Sequence, residues 1–156
     1  MTDALRRAGE DEDWAAVLHL IRESFAYMDP RIDPPSSMHR LTAAAIAESA
    51  ATGEVWLIGR PVRACMFLTY YPDALYIGKV AVAARARRQG LARRLMEQAE
   101  NSARAHGLVR LELQTRVELT ELHQTYRALG FQQTGTASHP GYDRPTSLIF
   151  TRPVSP

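Results

Sequence analysis

The segment from Tyr76 to Arg94 constrains this chain more than any other. It reads Tyr-Ile-Gly-Lys-Val-Ala-Val, then Ala-Ala-Arg-Ala-Arg-Arg-Gln, then Gly-Leu-Ala-Arg-Arg. The apolar, β-branched run predicts a strand over Ala74 to Val82. Leu91, Leu95, Ala99 and Ala103 then fall on one stripe, which predicts a long helix from Gly90 to His106, closed by Gly107. A strand that feeds a helix through a short loop implies a sheet with that helix packed on its face.

The rest of the chain supplies the sheet. A short strand is expected from Asp3 to Ala8. The acids Glu10 to Asp13 suit the start of a first helix, which carries Trp14, Val17, Leu18, Ile21 and Phe25 and ends near Tyr27. Met28 to Pro35 contains three prolines and does not continue it. Ser36 or Ser37 is expected to cap a second helix bearing Leu41, Ala44, Ala45 and Ile46, which stops before Gly53. Glu54 to Gly59, Arg63 to Tyr70 and Ala74 to Val82 read as an antiparallel meander, with turns at Arg60-Pro61 and Pro72-Asp73. Beyond the long helix, Leu108 to Thr115 alternates like a strand with one wet face. Leu119 to Leu129 reads as a helix, and Phe131 to Thr136 and Ser147 to Thr151 as strands. The order β-α-α-β-β-β-α-β-α-β-β predicts an α/β fold. Its mixed sheet is antiparallel early, parallel around the long helix, and flanked by helices. The length of 156 residues suits one domain, 1–156.

Composition excludes some functions. Apolar residues are 46% and charged residues 23%, which is neither disordered nor fibrous. A net charge of +2 does not argue for nucleic acid, and no aromatic lies between Val80 and Leu113 to stack a base. No apolar run approaches the ~20 residues of a membrane span, and the N-terminus lacks a signal-peptide core. The expectation is a cytoplasmic protein with no membrane or nucleic-acid partner and no metal. The single cysteine, Cys65, lies in an apolar run and is expected to be a buried, inert thiol.

The basic loop carries the chemistry. A helix N-terminus presents unpaired N–H groups and a partial positive charge, which suit phosphate. Gly90 and Ala92 let a diphosphate approach the main chain, and Arg85, Arg87, Arg88, Arg93 and Arg94 add cationic density. The pattern is neither a P-loop nor a dinucleotide fingerprint. A solvated arginine-rich helix start is the competing interpretation.

Two motifs bear on that choice. Arg87-Arg88-Gln89-Gly90-Leu91-Ala92 matches Gln/Arg-x-x-Gly-x-Gly/Ala at Arg87, Gly90 and Ala92, and Tyr126-Arg127-Ala128-Leu129-Gly130-Phe131 resembles Tyr-x-x-Leu-Gly-Phe. Together, and in this order of elements, they resemble the GNAT superfamily of N-acetyltransferases over nearly the whole chain. The resemblance implies a splayed parallel strand pair that holds acetyl-CoA. Val80, Ala81 and Val82 would face the pantetheine, and Arg87, Arg88, Gln89, Gly90, Leu91, Ala92 and Arg93 the phosphates. It implies direct attack by a primary amine, of a small molecule or peptide, on the thioester. A backbone N–H near Val80 would stabilise the oxyanion, and Tyr126 would protonate the leaving thiolate, its ordinary pKa of ~10 lying near a thiol's ~8.5. Family members are often dimers, so a homodimer is implied as one arrangement.

The chain departs from the family twice. Many members carry a glutamate base on the strand before the phosphate loop, where this chain has Gly78 and Lys79. Many place an asparagine before the tyrosine, and Leu119 to Thr125 contains none. The base candidates are therefore Glu118, His139 and Asp33, with His123 behind them. Arg31, Asp33, Arg116 and Tyr142 are candidates for binding the acceptor, and Arg31, Arg116 and Arg144 together would suit a carboxylate. A non-catalytic acyl-CoA sensor of the same fold is the alternative function.

Overall fold

The computed structural model of the protein describes residues 4–156. Strand β1 (Leu5–Arg7) leads into helix α1 (Trp14–Phe25), and the region from 26 to 42 leads into α2 (Ala43–Thr52). Strands β2 (Glu54–Ile58), β3 (Ala64–Tyr70) and β4 (Leu75–Val82) form the expected meander. Helix α3 (Leu91–Ala105), strand β5 (Arg110–Arg116), helix α4 (Thr120–Ala128) and strands β6 (Gln132–Ala137) and β7 (Ser147–Pro153) complete the order. The start of β1 expected at Asp3 lies outside the described residues.

The strands form one sheet in the order β1-β2-β3-β4-β5-β7-β6. Only β4 and β5 are parallel, because α3 crosses between them; every other neighbouring pair is antiparallel. Strand β7 returns between β5 and β6, leaving β6 on an edge. Leu95, Met96, Ala99 and Ala103 of α3 bury their stripe against Met66, Leu75, Ile77 and Leu111 of the sheet. Burial on that scale contributes roughly 1.5–3 kcal/mol for each large side chain. Glu54 is buried but well satisfied. It accepts from Trp56 Nε1 (2.7 Å), Ser102 Oγ (3.2 Å) and the Tyr70 hydroxyl, tying β2, β3 and α3 together. Among the described residues, no helix is long and apolar enough to cross a membrane.

Three expectations change. The second helix does not begin at Ser36 or Ser37. Ser36 caps a short 3-10 turn, Ser37–Arg40, anchored by buried Met38. Leu41 is extended, and Thr42 then caps α2 by accepting from Ala45 N at 3.1 Å. Two competing side-chain caps thus cut one expected helix into two pieces. The first helix ends at Phe25, and a 3-10 turn over Ala26–Met28 follows it. Strand β5 begins at Arg110 and not at the expected Leu108, which leaves Val109 exposed; Leu111, Leu113 and Thr115 point inward.

Candidate active site

Strands β4 and β5 pair only at Leu75–Leu111 and Tyr76–Glu112. Beyond those residues β4 runs on to Val82 and β5 to Arg116 without pairing to each other, so the sheet opens into a V. A β-bulge sharpens the opening. Phe67 pairs with Gly78 and Cys65 with Ala81, so two residues of β4, Lys79 and Val80, oppose the single Met66. Lys79 takes a left-handed φ of 51° at the bulge. A bulge bends its strand and re-aims its side chains, here toward the gap.

At the open end β4 runs into the basic loop. The amides of Ala86 and Arg87 close a 3-10 turn onto Ala83 and Ala84. Among the described residues, the next six amides, Arg88 to Arg93, have no hydrogen-bond partner. Arg94 N is the first to bond back into the helix, onto Gly90 O at 3.1 Å. Gly90 has φ 77°, and a Cβ placed there would meet nothing within 4 Å, so the bend is open to a ligand. Such a φ is costly for side chains and free for glycine. Among the described residues, no side chain accepts from this row of donors. Arg85, Arg87, Arg88 and Arg93 stand exposed around it.

The cleft below the V has a volume of about 690 Å³. Tyr76 to Val80 of β4 and Leu113 to Arg116 of β5 form its walls. Pro34 to Ser37 and Arg40 overhang it, and Tyr126, His139 and Tyr142 close the far side. The Tyr126 hydroxyl has no hydrogen-bond partner among the described residues, and burial, with the fields of Tyr27 and Tyr76, pushes its pKa up. The end of α4 fixes that ring. Leu129 N (3.1 Å) and Phe131 N (3.0 Å) both donate to Tyr126 O, Gly130 takes φ 94°, and buried Phe131 packs edge-on against the tyrosine at 5.9 Å. The Leu-Gly-Phe sequence is thus a helix stop that locks the tyrosine in place.

The sequence matches the model of the Acetyltransferase (GNAT) family over residues 14–131. The chain belongs to this family. No match was found among curated proteins. Among solved structures, the fold resembles the PaiA N-acetyltransferase from Thermoplasma acidophilum in complex with coenzyme A, at TM-score 0.83 and 11% identity, covering 98% of this chain and 99% of that one. It also resembles the ribosomal-protein-S18-alanine N-acetyltransferase from Escherichia coli, at TM-score 0.69 and 19% identity, covering 98% and 94%. A third likeness is a GNAT family acetyltransferase from Elizabethkingia anophelis with acetyl-CoA bound, at TM-score 0.67 and 15% identity, covering 97% and 98%. At these identities the likeness establishes the fold.

Within this GNAT fold the expected residues separate into groups. Val80 lines the cleft, and Ala81 and Val82 carry β4 on toward the cradle of Arg87 to Arg93. Tyr126, His139, Arg116 and Tyr142 also line the cleft. His139 Nδ1 lies 2.5 Å from Thr146 Oγ1, and burial first, then the positive field of Arg116, lowers its pKa against the opposing pull of Glu118.

Arg31, Asp33 and Glu118 form a brace outside the cleft lining. Arg31 pairs with Glu121 at 2.5 Å and donates to Glu118 O at 3.1 Å. Glu118 Oε2 accepts from Asp33 N, and Asp33 in turn accepts from the Tyr142 hydroxyl (2.6 Å) and from Arg144 (3.3 Å). Arg116 donates to Pro34 O (2.6 Å) and Pro35 O (3.1 Å). The structure therefore does not gather Arg31, Arg116 and Arg144 around a common ligand; each is bonded within the protein. His123 is buried, with Nε2 2.9 Å from Arg116 O, and supports the end of β5. A small apolar cluster of Met28, Ile32 and Leu119 lies beneath the brace.

Two cleft residues escaped the sequence reading. Lys79 appeared there only as a missing glutamate, and Arg40 not at all. Lys79 Nζ donates to Ser37 Oγ at 2.6 Å, and burial, with the fields of Arg116 and Arg40, lowers its pKa. The signal available in the sequence was Gly78, since an isolated glycine within a strand pattern marks a bulge.

Proposed function

We propose that the protein is an acetyl-CoA-dependent N-acetyltransferase that acts on a primary amine by direct attack. One observation carries the proposal: six consecutive unpartnered amides, Arg88 to Arg93, at the foot of α3, beside the unpaired edge of β4. Free N–H groups at a helix N-terminus suit a diphosphate. An open strand edge suits an extended amide chain, which would add to it like another strand. Acetyl-CoA offers both groups and supplies an acetyl thioester. Among the described residues, the expected phosphate-binding side chains Arg87, Arg88 and Arg93 flank those amides.

The chain's own residues then divide the work. The acceptor amine forms the new C–N bond as the C–S bond breaks. A main-chain N–H at the Lys79–Val80 bulge stabilises the developing oxyanion. The Tyr126 hydroxyl, held without another partner, gives its proton to the leaving thiolate. His139 takes the amine's proton. With the Thr146 hydroxyl donating to Ala137 O (3.4 Å), Nδ1 carries the histidine's proton and Nε2 keeps its lone pair. This assignment follows from the hydrogen-bond network. Glu118 acts at one remove, by holding the Asp33 main chain.

The first test is binding. Acetyl-CoA at ~100 times its dissociation constant should stabilise the protein by about 2.7 kcal/mol, read as a rise in melting temperature. Release of CoA thiol in the presence of an amine panel then measures transfer. Absence of any stabilisation by acetyl-CoA would overturn the proposal. Among the described residues no carboxylate lines the cleft, which supports a second reading, a non-catalytic acyl-CoA sensor. That reading requires stabilisation by acetyl-CoA with no thiol release from any amine.

A further inference from the structure

The cleft is electrically one-sided. Its charged lining residues are Arg40, Lys79 and Arg116, and among the described residues no aspartate or glutamate joins them. This asymmetry is local, since the whole chain carries a net charge of only +2. Arg40 and Lys79 have no carboxylate partner among the described residues, whereas Arg116 lies in the field of Glu118 and Asp33. Arg40 has no hydrogen bond or ion pair among the described residues. Lys79 spends one of its three N–H donors on Ser37 Oγ and has no carboxylate partner. Ser37 accepts that bond, so its own proton remains available. Arg116 spends two donors on the carbonyls of Pro34 and Pro35. Of the acids that it feels, Asp33 is bonded to Tyr142 and Arg144, and Glu118 holds Asp33 N through Oε2 while its Oε1 is buried without a partner. On the same wall, the Thr115 hydroxyl is buried without a partner.

These cations are separate from the phosphate cradle. None of Arg87 to Arg93 lines the cleft, whereas Lys79 and Arg116 both bond to the overhanging loop between α1 and α2. Lys79 is half-buried without a carboxylate partner, a costly position for a cation, and a bound anion offsets that cost. A purely cationic acceptor would meet repulsion from all three.

We propose that the acceptor is an amine that also bears an anionic group, a carboxylate or a phosphate, seated among Arg40, Lys79 and Arg116. The proposal rests on the acetyltransferase reading above. Arg40 and Lys79 provide charge-assisted donors, Ser37 and Thr115 provide hydroxyls, and Arg116 holds the loop while adding its field. Seated there, beside the bulge, the anion directs the amine toward the mouth of the V. Selectivity thus comes from the stretch Gly78–Lys79, where the family resemblance implies a glutamate in many members and this chain carries a cation.

The test uses matched acceptors: amino acids against their carboxamides, and aminoalkyl phosphates against the corresponding amino alcohols. Two readouts run in parallel, thermal stabilisation by each amine and kcat/KM from thiol release with acetyl-CoA. The anionic member of at least one pair should be preferred by about tenfold or more, the scale of one charged hydrogen bond. Arg40→Gln, at an exposed position, should reduce that preference about tenfold while leaving acetyl-CoA affinity unchanged. Lys79→Met should also reduce the preference, and its melting temperature without ligand checks the fold. The carboxylate and phosphate arms show which anion is taken.

Neutral or cationic amines preferred in both arms, or a preference unchanged by Arg40→Gln, would overturn the proposal. Acetyl-CoA binding without anion preference would do so and leave the acetyltransferase reading standing. Anion-dependent stabilisation without acetyl-CoA binding would have the opposite meaning.

Discussion

The two ends of the cleft are built from different materials. The cradle end is main chain: unpaired amides at the foot of α3, an unpaired edge of β4, and Gly90 where a side chain would be strained. The acceptor end is side chain: three cations, a histidine, two tyrosines and a loop braced by ion pairs. Main-chain donors can be kept while the sequence around them changes, provided that a few small residues remain. Side-chain recognition is rewritten by single substitutions. The difference teaches why the cradle resembles a family and the acceptor end must be read from this protein's own residues.

Mutations at the two ends should therefore separate cleanly. The largest expected effect is that of Tyr126→Phe, which removes only the hydroxyl. Turnover should fall about 100-fold, in line with loss of a general acid, while acetyl-CoA affinity measured by calorimetry stays constant. Equal losses in both quantities would mean that the ring shapes the cradle and donates no proton.

Gly90→Val tests the cradle alone. Its φ of 77° strains a β-branched residue, and the side chain would occupy the open space that a diphosphate would enter. Acetyl-CoA should bind about tenfold more weakly, consistent with strain of roughly 1–2 kcal/mol, with acceptor KM unchanged. An acceptor effect as large as the acetyl-CoA effect would break the division.

A smaller change is expected from His139→Gln. Only neutral histidine accepts a proton, so kcat/KM should fall as pH drops through the pKa of His139. Because that pKa is lowered, the fall should lie below the ordinary ~6.5. The variant should lose this acidic limb and about tenfold in rate at neutral pH. A limb that persists unchanged would assign the proton to another group.

The smallest effect belongs to Glu121→Gln. It frees Arg31 and loosens the brace over the cleft, raising acceptor KM by about two- to threefold, as expected of one exposed ion pair. A matching change in acetyl-CoA affinity would show that the brace serves both ends.

The sequence revealed the two ends unequally for the same reason. Strand-to-helix periodicity and the motif at Arg87 to Ala92 are local, so the cradle was legible from neighbouring residues. The mixed sheet and the order of elements followed from apolar patterning, within a residue or two at most boundaries. What was not legible depends on contacts distant in sequence. The return of β7 between β5 and β6 has no local mark. Ser36 or Ser37 was expected to cap α2, but Ser36 caps a separate 3-10 turn with Met38 buried, and Thr42 caps α2. Arg31 looked like a free cation until Glu121, ninety residues on, came to face it. Lys79 looked like a departure from pattern until the bulge placed it across from Ser37.

Cys65 lies directly behind that bulge. It is fully buried, its Sγ donates to Lys79 O at 3.4 Å, and burial pushes its thiol pKa up to about 12. Reagents that colour on meeting a free sulfhydryl will not find it while the chain is folded. The folded enzyme then adds no thiol signal of its own to such an assay. Should that signal jump at once on warming without substrate, it would report unfolding, so the same cuvette serves as a gauge of integrity.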